Sequence, residues 1–359
     1  MISSKENFNK TRVLIIGSGI IGKFNALELS SQGFETTIID NSESKNSSNA
    51  ALGMLMGEIY HKRQGRSWEL RKESIEMWPK WIKTLNQINP NLNIEKPFIQ
   101  LTTSEKKFEK LKSFANKNSK ANLQIVYKNS EILQSVEKIF ETKKFQGLIS
   151  HNDGRIKPKL LLETIDLYLK NNKVNIQKNK VIAIEKKANK WISILNSGDK
   201  FLSDILILCN SNDCLKLLDH KKSKIELQPV LGQAIEIHYD NSDINFLSLP
   251  KNFNIVGRNF IPLTENRIII GSTDEYNILP KKEKITELTE FLDEQPIWLN
   301  KNNIYKNWYG VRSKPRGEAS PILKTLDKGL IICSGFYKNG ILLAPACASW
   351  ISKEIKNHI

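Results

Sequence analysis

The sequence predicts an α/β chain: a nucleotide-binding domain built on a βαβ unit, with an inserted, mainly antiparallel β-sheet domain. Three observations predict it. An apolar run near the N-terminus meets a G-x-G-x-x-G turn and a helical segment. The second half alternates short β-type runs with turn residues, and the chain closes on an apolar helical segment. At 359 residues it is longer than one core usually holds, so two domains are expected.

Val13, Leu14, Ile15 and Ile16 form a short apolar run that reads as a buried parallel strand. The turn Gly17-Ser18-Gly19-Ile20-Ile21-Gly22 follows. Residues 23–32 read as a helix with Ala26, Leu27 and Leu29 toward the sheet and Gly33 as its stop. A second strand over 35–39 ends at Asp40, completing a βαβ unit. Residues 67–85 read as an amphipathic helix whose Trp68, Leu70, Ile75, Trp78 and Trp81 are packing residues. Another helix is expected over 159–169, and strands over 180–186, 191–195 and 201–208. The runs 233–239, 254–261 and 267–270 fit an antiparallel sheet. Residues 308–312 and 330–334 add strands, and a last helix runs from about 340 to 356. The nucleotide domain is therefore expected to be discontinuous, over 11–85, 152–222 and 313–359, with the substrate domain over 86–151 and 223–312.

Composition excludes several classes. No stretch of eighteen apolar residues is present, so no spanning helix is expected. Met1 to Lys10 is polar and lacks the apolar core of an export signal. The formal charge of +16 invites nucleic acid, but only nine of the 54 basic residues are Arg and the Lys are spread evenly. No recognition-helix or RNA-binding pattern accompanies the charge, so no nucleic-acid partner is expected. Cys209, Cys214, Cys333 and Cys347 have no metal spacing; unpaired thiols suit a reducing cytoplasm. The five His (61, 151, 220, 238 and 358) are scattered and support neither a metal site nor a Ser-His pair.

Each glycine of the G-x-G-x-x-G turn has a physical task. Gly17 permits the tight turn, Gly19 admits a pyrophosphate to the backbone, and Gly22 lets helix and strand pack closely. The helix N-terminus, at Ile20 and Ile21, offers N–H groups and a partial positive charge to phosphates. Asp40 stands where a carboxylate can accept from adenosine ribose hydroxyls, and it would repel a 2′-phosphate. The motif alone leaves NAD and FAD open.

Four further segments resemble the D-amino-acid oxidase-like family of flavoproteins, and within it the thiamine-pathway glycine oxidases. Ser47-Ser48-Asn49-Ala50-Ala51-Leu52-Gly53-Met54-Leu55 is similar to the family's loop along the flavin. Asp153-Gly154-Arg155-Ile156-Lys157-Pro158 resembles the Asp-Gly-x-Val-x-Pro start of its central helix. Lys180-Val181 looks like the segment whose Val backbone meets the adenine side of FAD. Phe336-Tyr337-Lys338-Asn339-Gly340-Ile341-Leu342-Leu343-Ala344-Pro345 resembles the string whose amides, at Asn339, Gly340, Ile341 and Leu342 here, open the last helix beneath the flavin pyrimidine. Trp308-Tyr309-Gly310-Val311-Arg312 is similar to Trp-x-Gly-x-Arg, whose Arg pairs with the substrate carboxylate.

The chain departs from that pattern at three places. Lys338 replaces the usual Arg, and Asn259 stands where glycine oxidases often place Tyr. Cys209-Asn210-Ser211-Asn212-Asp213 replaces Ala-x-Gly-x-Trp after the strand near Leu208. No Cys follows Arg312 where relatives with covalent flavin carry one, so the resemblance implies non-covalent FAD. It implies oxidation of a small amine or amino acid, its carboxylate on Arg312 and its α-hydrogen leaving as hydride to flavin N5. The products are an imine and, with oxygen as acceptor, peroxide. Lys338 and Asn259 are expected to tune the substrate. Rival expectations are a sarcosine-like N-methyl amino-acid oxidase, an amino-acid dehydrogenase passing electrons to a quinone, and a catalytically weakened flavin-binding protein.

Overall fold

Strand segments that are apolar on both faces must be covered on both faces. Val13 to Ile16 and Ile205 to Leu208 are such segments, and both are buried. In the computed structural model, which describes residues 11–41, 47–141, 144–218 and 223–358, they pair in parallel at the middle of a six-stranded sheet. Its order is Ile322–Asp327, Leu330–Ser334, Ile205–Leu208, Arg12–Ile16, Glu35–Asp40, Asn175–Lys178. Neighbours run parallel except the hairpin at the Ile322–Asp327 edge. Helices Ile20–Ser31, Arg66–Leu85, Pro158–Asn171 and Gly340–His358 bury one apolar stripe each in a shared core on one face. Trp78 and Trp81 meet Phe24 edge-on at 5.4 and 6.0 Å, so these tryptophans are packing residues as their spacing predicts. The other face is covered by Val181, Trp191 and Leu195 of a small antiparallel sheet.

The second large sheet has eight strands, ordered Ile304–Arg316, Glu226–His238, Arg267–Gly271, Arg258–Thr264, Phe253–Ile255, Phe98–Thr102, Gln146–Ser150, Leu123–Val126. It is antiparallel except where Phe253–Ile255 meets Phe98–Thr102. Its core is aromatic: Phe253 stacks on Phe260 at 5.1 Å, and Phe140 meets both of them and Trp298 edge-on. The predicted α/β class with a mainly antiparallel second sheet is thus the observed one.

Two expected strands are each divided. The run 201–208 breaks at Asp204, whose carboxylate accepts from Arg12 N at 2.9 Å while its own N–H donates to Arg12 O. Lys200–Ser203 stays in the small sheet and Ile205–Leu208 joins the central one. Both halves are apolar, so the sequence pattern does not reveal the change of sheet. The run 254–261 is a hairpin: Val256 and Gly257 have φ of 48° and 84°, the two left-handed residues that a two-residue turn requires. Residues 86–151, for which no elements were predicted, supply three strands of the large sheet. No helix among the described residues is long and apolar enough to cross a membrane. Met1 to Lys10 and His220 lie outside the described residues.

Candidate active site

The ends of central strands at Ile16, Ile39, Cys209 and Cys333 and one face of the eight-stranded sheet enclose a cavity of about 1060 Å³. At one end is the glycine turn. Gly17 has φ of 107°, and a Cβ there would lie 2.8 Å from the Cys209 carbonyl, so only glycine fits this turn. A Cβ on Gly22 would lie 1.8 Å from Gly17 O, which is the close helix–strand approach expected of it. Helix Ile20–Ser31 begins with no side-chain cap at Gly19. Ser48 Oγ accepts from Ile20 N at 3.0 Å, and Asp40 Oδ2 accepts from Ser18 N at 2.5 Å. Gly19, Ile20, Ile21 and Asp40 all line the cavity, as does Val181.

The wall formed by 47–54 is held in place from behind. Arg155 Nε donates to Leu52 O at 2.9 Å while its Nη1 pairs with Glu95 at 2.8 Å. Asp153 accepts from the backbone N–H groups of Gly57, Glu58 and Ile59 at 2.7 to 2.9 Å. Gly53 has φ of 86°, and a Cβ there would lie 1.9 Å from Ile156 O. The Asp-Gly-Arg-Ile segment before the Pro158 helix thus holds the loop that faces the cavity. Ser47, Ser48, Gly53 and Met54 line the cavity.

A second helix N-terminus, at Gly340 and Ile341, opens on the same space. Asn339 O accepts from Leu343 N at 2.9 Å, starting that helix. Asn339 and Leu342 themselves lie outside the cavity lining; Leu342 is 2% exposed and its carbonyl accepts from Trp78 Nε1 at 3.0 Å. Asn210 and Asn212 line the cavity, and their buried Oδ1 atoms have no partner among the described residues. A buried acceptor without a donor costs about 1–3 kcal/mol, so these atoms await a ligand or water. The segment that departs from the flavoprotein pattern therefore still faces the cavity.

At the far end Arg312 rises from strand Ile304–Arg316, and its side chain is 15% exposed. Its guanidinium lies flat on Gly232 of the neighbouring strand, where a Cβ would meet Nη2 at 2.0 Å. Arg312 Nη1 donates to Thr273 O at 3.2 Å and Asp274 Oδ1 at 2.9 Å, and Nη2 to Ser272 Oγ at 2.6 Å. Burial pulls its pKa below the usual guanidinium range, and the Asp274 charge opposes that pull. Lys338 Nζ reaches the other Asp274 oxygen at 2.5 Å. Tyr337 Oη donates to Asp274 Oδ1 at 3.3 Å. Burial pushes the Tyr337 phenol up to about 12, and Asp274 adds to the shift, so it stays a neutral donor. Asn259 lines the same end and accepts from Asn254 Nδ2 at 3.0 Å.

Arg312, Lys338 and Asn259 thus share one cavity with the glycine turn. Sequence reasoning missed Asp274, Ser272, Gly232 and Asn254. The first two sit in Gly271-Ser272-Thr273-Asp274, a turn-like string with no motif, and nothing local ties them to residues 38 to 64 positions away.

Comparison with known proteins agrees with this arrangement. The family described as FAD dependent oxidoreductase matches residues 12–354. The bifunctional protein ThiO/ThiG of Synechocystis sp. is 23% identical over 350 residues, 96% of this chain and 51% of that protein. The chain therefore spans just over half the length of that relative. A glycine oxidase from Bacillus cereus superposes with a TM-score of 0.82 at 21% identity, covering 97% of this chain and 95% of that one. An iminodiacetate oxidase from Chelativorans sp. does so with a TM-score of 0.82 at 16% identity, covering 97% and 96%. These two likenesses carry the fold, and the family match over nearly the whole chain carries the chemistry. With a βαβ turn, two helix N-termini and a buried Arg around one cavity, the chain is an FAD-dependent enzyme and belongs to the FAD dependent oxidoreductase family.

Proposed function

We propose that the chain oxidises the α-carbon of a small amine or amino acid in the manner of a glycine oxidase. The observation that carries this reading is Arg312, a guanidinium held at one end of the cavity whose other end is the dinucleotide turn. Three of its N–H groups are engaged by Thr273, Asp274 and Ser272. The Nε–H and the second Nη2 N–H have no protein acceptor among the described residues, leaving two donors for a carboxylate.

The residues present fit FAD. Asp40 would take the adenosine ribose, the amides of Gly19 and Ile21 the pyrophosphate (the Ile20 N–H is held by Ser48 Oγ), Ser47, Ser48, Gly53 and Met54 one flank of the isoalloxazine, and Gly340 and Ile341 its pyrimidine edge. A helix N-terminus there favours negative charge. When bound, without a covalent link, the flavin supplies the two-electron acceptor. Arg312 orients the substrate, and no side-chain base is required. We assign residues 11–85, 152–222 and 313–359 to the FAD-binding domain and 86–151 and 223–312 to the substrate domain. With glycine as substrate, the imine product would serve thiazole formation in thiamine synthesis.

The test is anaerobic addition of glycine to the yellow protein. Bleaching of the visible flavin band, followed by its return with peroxide when oxygen is admitted, is the expected result. A band that glycine, sarcosine and other small amines all leave unchanged overturns the reading. Return of colour with a quinone but not with oxygen would make the enzyme a dehydrogenase.

A further inference from the structure

Asp274 joins the two cations of the substrate end. Its Oδ1 takes Arg312 Nη1 at 2.9 Å and its Oδ2 takes Lys338 Nζ at 2.5 Å. Arg312 and Lys338 line the cavity, whereas Asp274 does not. The nearby carboxylate of Glu275 is buried and turned away, accepting from Gln233 Nε2 at 2.9 Å, Thr273 Oγ1 at 2.6 Å and Lys281 N at 3.2 Å. Of the other cations on strand Ile304–Arg316, Lys314 donates to the Tyr276 hydroxyl at 3.0 Å and Arg316 Nε to Gln228 Oε1 at 3.1 Å. Two positive charges and one negative charge leave the substrate end with one net positive charge. The Lys338 ammonium keeps N–H donors beyond the one spent on Asp274, but a carboxylate at 2.5 Å offsets its charge and so weakens its pull on a second anion.

We propose that Asp274 is a positioning residue that sets the charge class of the substrate: by holding Lys338 against itself and beside Arg312, it restricts the site to amines with a single carboxylate. The inference rests on the amino-acid oxidase reading above and names the residue that limits it. Without Asp274, the Lys338 ammonium becomes available to a second carboxylate, and the same cavity should accept amino dicarboxylates.

The experiment uses the FAD-loaded full chain and two non-oxidisable acids, acetate and malonate, titrated against the visible flavin spectrum. In the parent, acetate should perturb the spectrum and malonate should bind no more tightly. Asp274→Asn preserves shape at a site 37% exposed. It should improve malonate binding relative to acetate at least tenfold, and adding Lys338→Met to that variant should erase the gain. A purely structural role for Asp274 would weaken both acids together and leave the ratio unmoved. A malonate-to-acetate ratio within twofold of the parent, with acetate still binding, overturns the role of Asp274 alone. If neither acid perturbs the flavin in parent or variant, no carboxylate site exists there, and both this inference and the amino-acid oxidase reading fall. Should Asp274→Asn lose FAD, Lys338→Met in the parent decides. Release of Asp274 from Lys338 should then weaken acetate several-fold, and unchanged acetate affinity would overturn the proposal.

Discussion

Asn254 donates its amide nitrogen to Asn259 Oδ1 at 3.0 Å, and its own oxygen accepts from Gly257 N at 2.9 Å. A backbone N–H can only donate, so Asn254 must present Oδ1 to it and Nδ2 to its neighbour. Asn259 must then use its oxygen on Asn254, which leaves Nδ2 for the cavity. The turn at Val256 and Gly257 therefore decides that the free polar group of Asn259, which lines the cavity, is a donor.

This polarity predicts that Asn259 serves an acceptor on the substrate. Asn259→Leu should lower kcat/KM about five- to tenfold, the worth of one hydrogen bond of roughly 1–1.4 kcal/mol, with FAD content unchanged. Lys338→Arg with Asn259→Tyr should raise efficiency on glycine relative to bulkier amines. Steady-state kinetics on matched substrates checks both, and an unchanged preference order would remove these positions from specificity.

Arg312→Met should lower kcat/KM about a hundredfold, because charge-assisted bonds to a carboxylate are worth roughly 2–3 kcal/mol. The oxidised flavin spectrum should stay nearly that of the parent. Unaltered efficiency would place the carboxylate elsewhere or show that the substrate has none.

Gly232→Ala tests the same guanidinium from behind. The new Cβ would meet Arg312 Nη2 at 2.0 Å and Cζ at 2.4 Å, so the side chain must move while the strand pairing of Gly232 with Gly310 can persist. The expected result is a loss of efficiency at least tenfold with melting temperature and FAD content nearly those of the parent. Full activity would mean that the guanidinium has other productive positions.

Gly22→Ala should act differently. Its Cβ would press on Gly17 O at 1.8 Å, a backbone atom that cannot rotate away. The helix must shift from the turn, and both retained FAD and thermal stability should fall. Absorbance ratio and a melting curve measure the two together.

All four thiols are buried. Burial pushes the Cys209 and Cys347 thiols well above the ordinary range and Cys214 up to about 12. A folded pKa of about 12 leaves roughly one thiolate in ten thousand at pH 8. Burial alone shields Cys333 from reagent, so iodoacetamide at pH 8 should label none of the four in the native protein and all four in denaturant, read by mass spectrometry. Rapid native labelling of Cys209 would show the cavity wall opening.

The nucleotide half was legible because its signals are local. An apolar run, three spaced glycines and Asp40 lie within thirty residues; the run and the glycines act through backbone geometry that residue type dictates, and Asp40 through a carboxylate that accepts from Ser18 N of that turn. The same holds for the closing helix and for the strand carrying Arg312. The division of 201–208 at Asp204 and the hairpin at Val256-Gly257 were not legible. Each half of each run carries apolar residues that suit a strand, and the break is made by a bond to Arg12 in one case and a backbone turn in the other.

The sequence by itself determined the fold class and the glycine turn, since those depend on short-range pattern and on the absence of a side chain at chosen points, and its resemblance to flavoproteins gave the cofactor type. The state of the substrate end was decided by the tertiary structure alone. Asp274 meets Arg312 and Lys338 across 38 and 64 residues of chain. Which charges cancel is a matter of distances of 2.5 to 2.9 Å, set by packing two sheets around one cavity. No spacing along the chain encodes such distances.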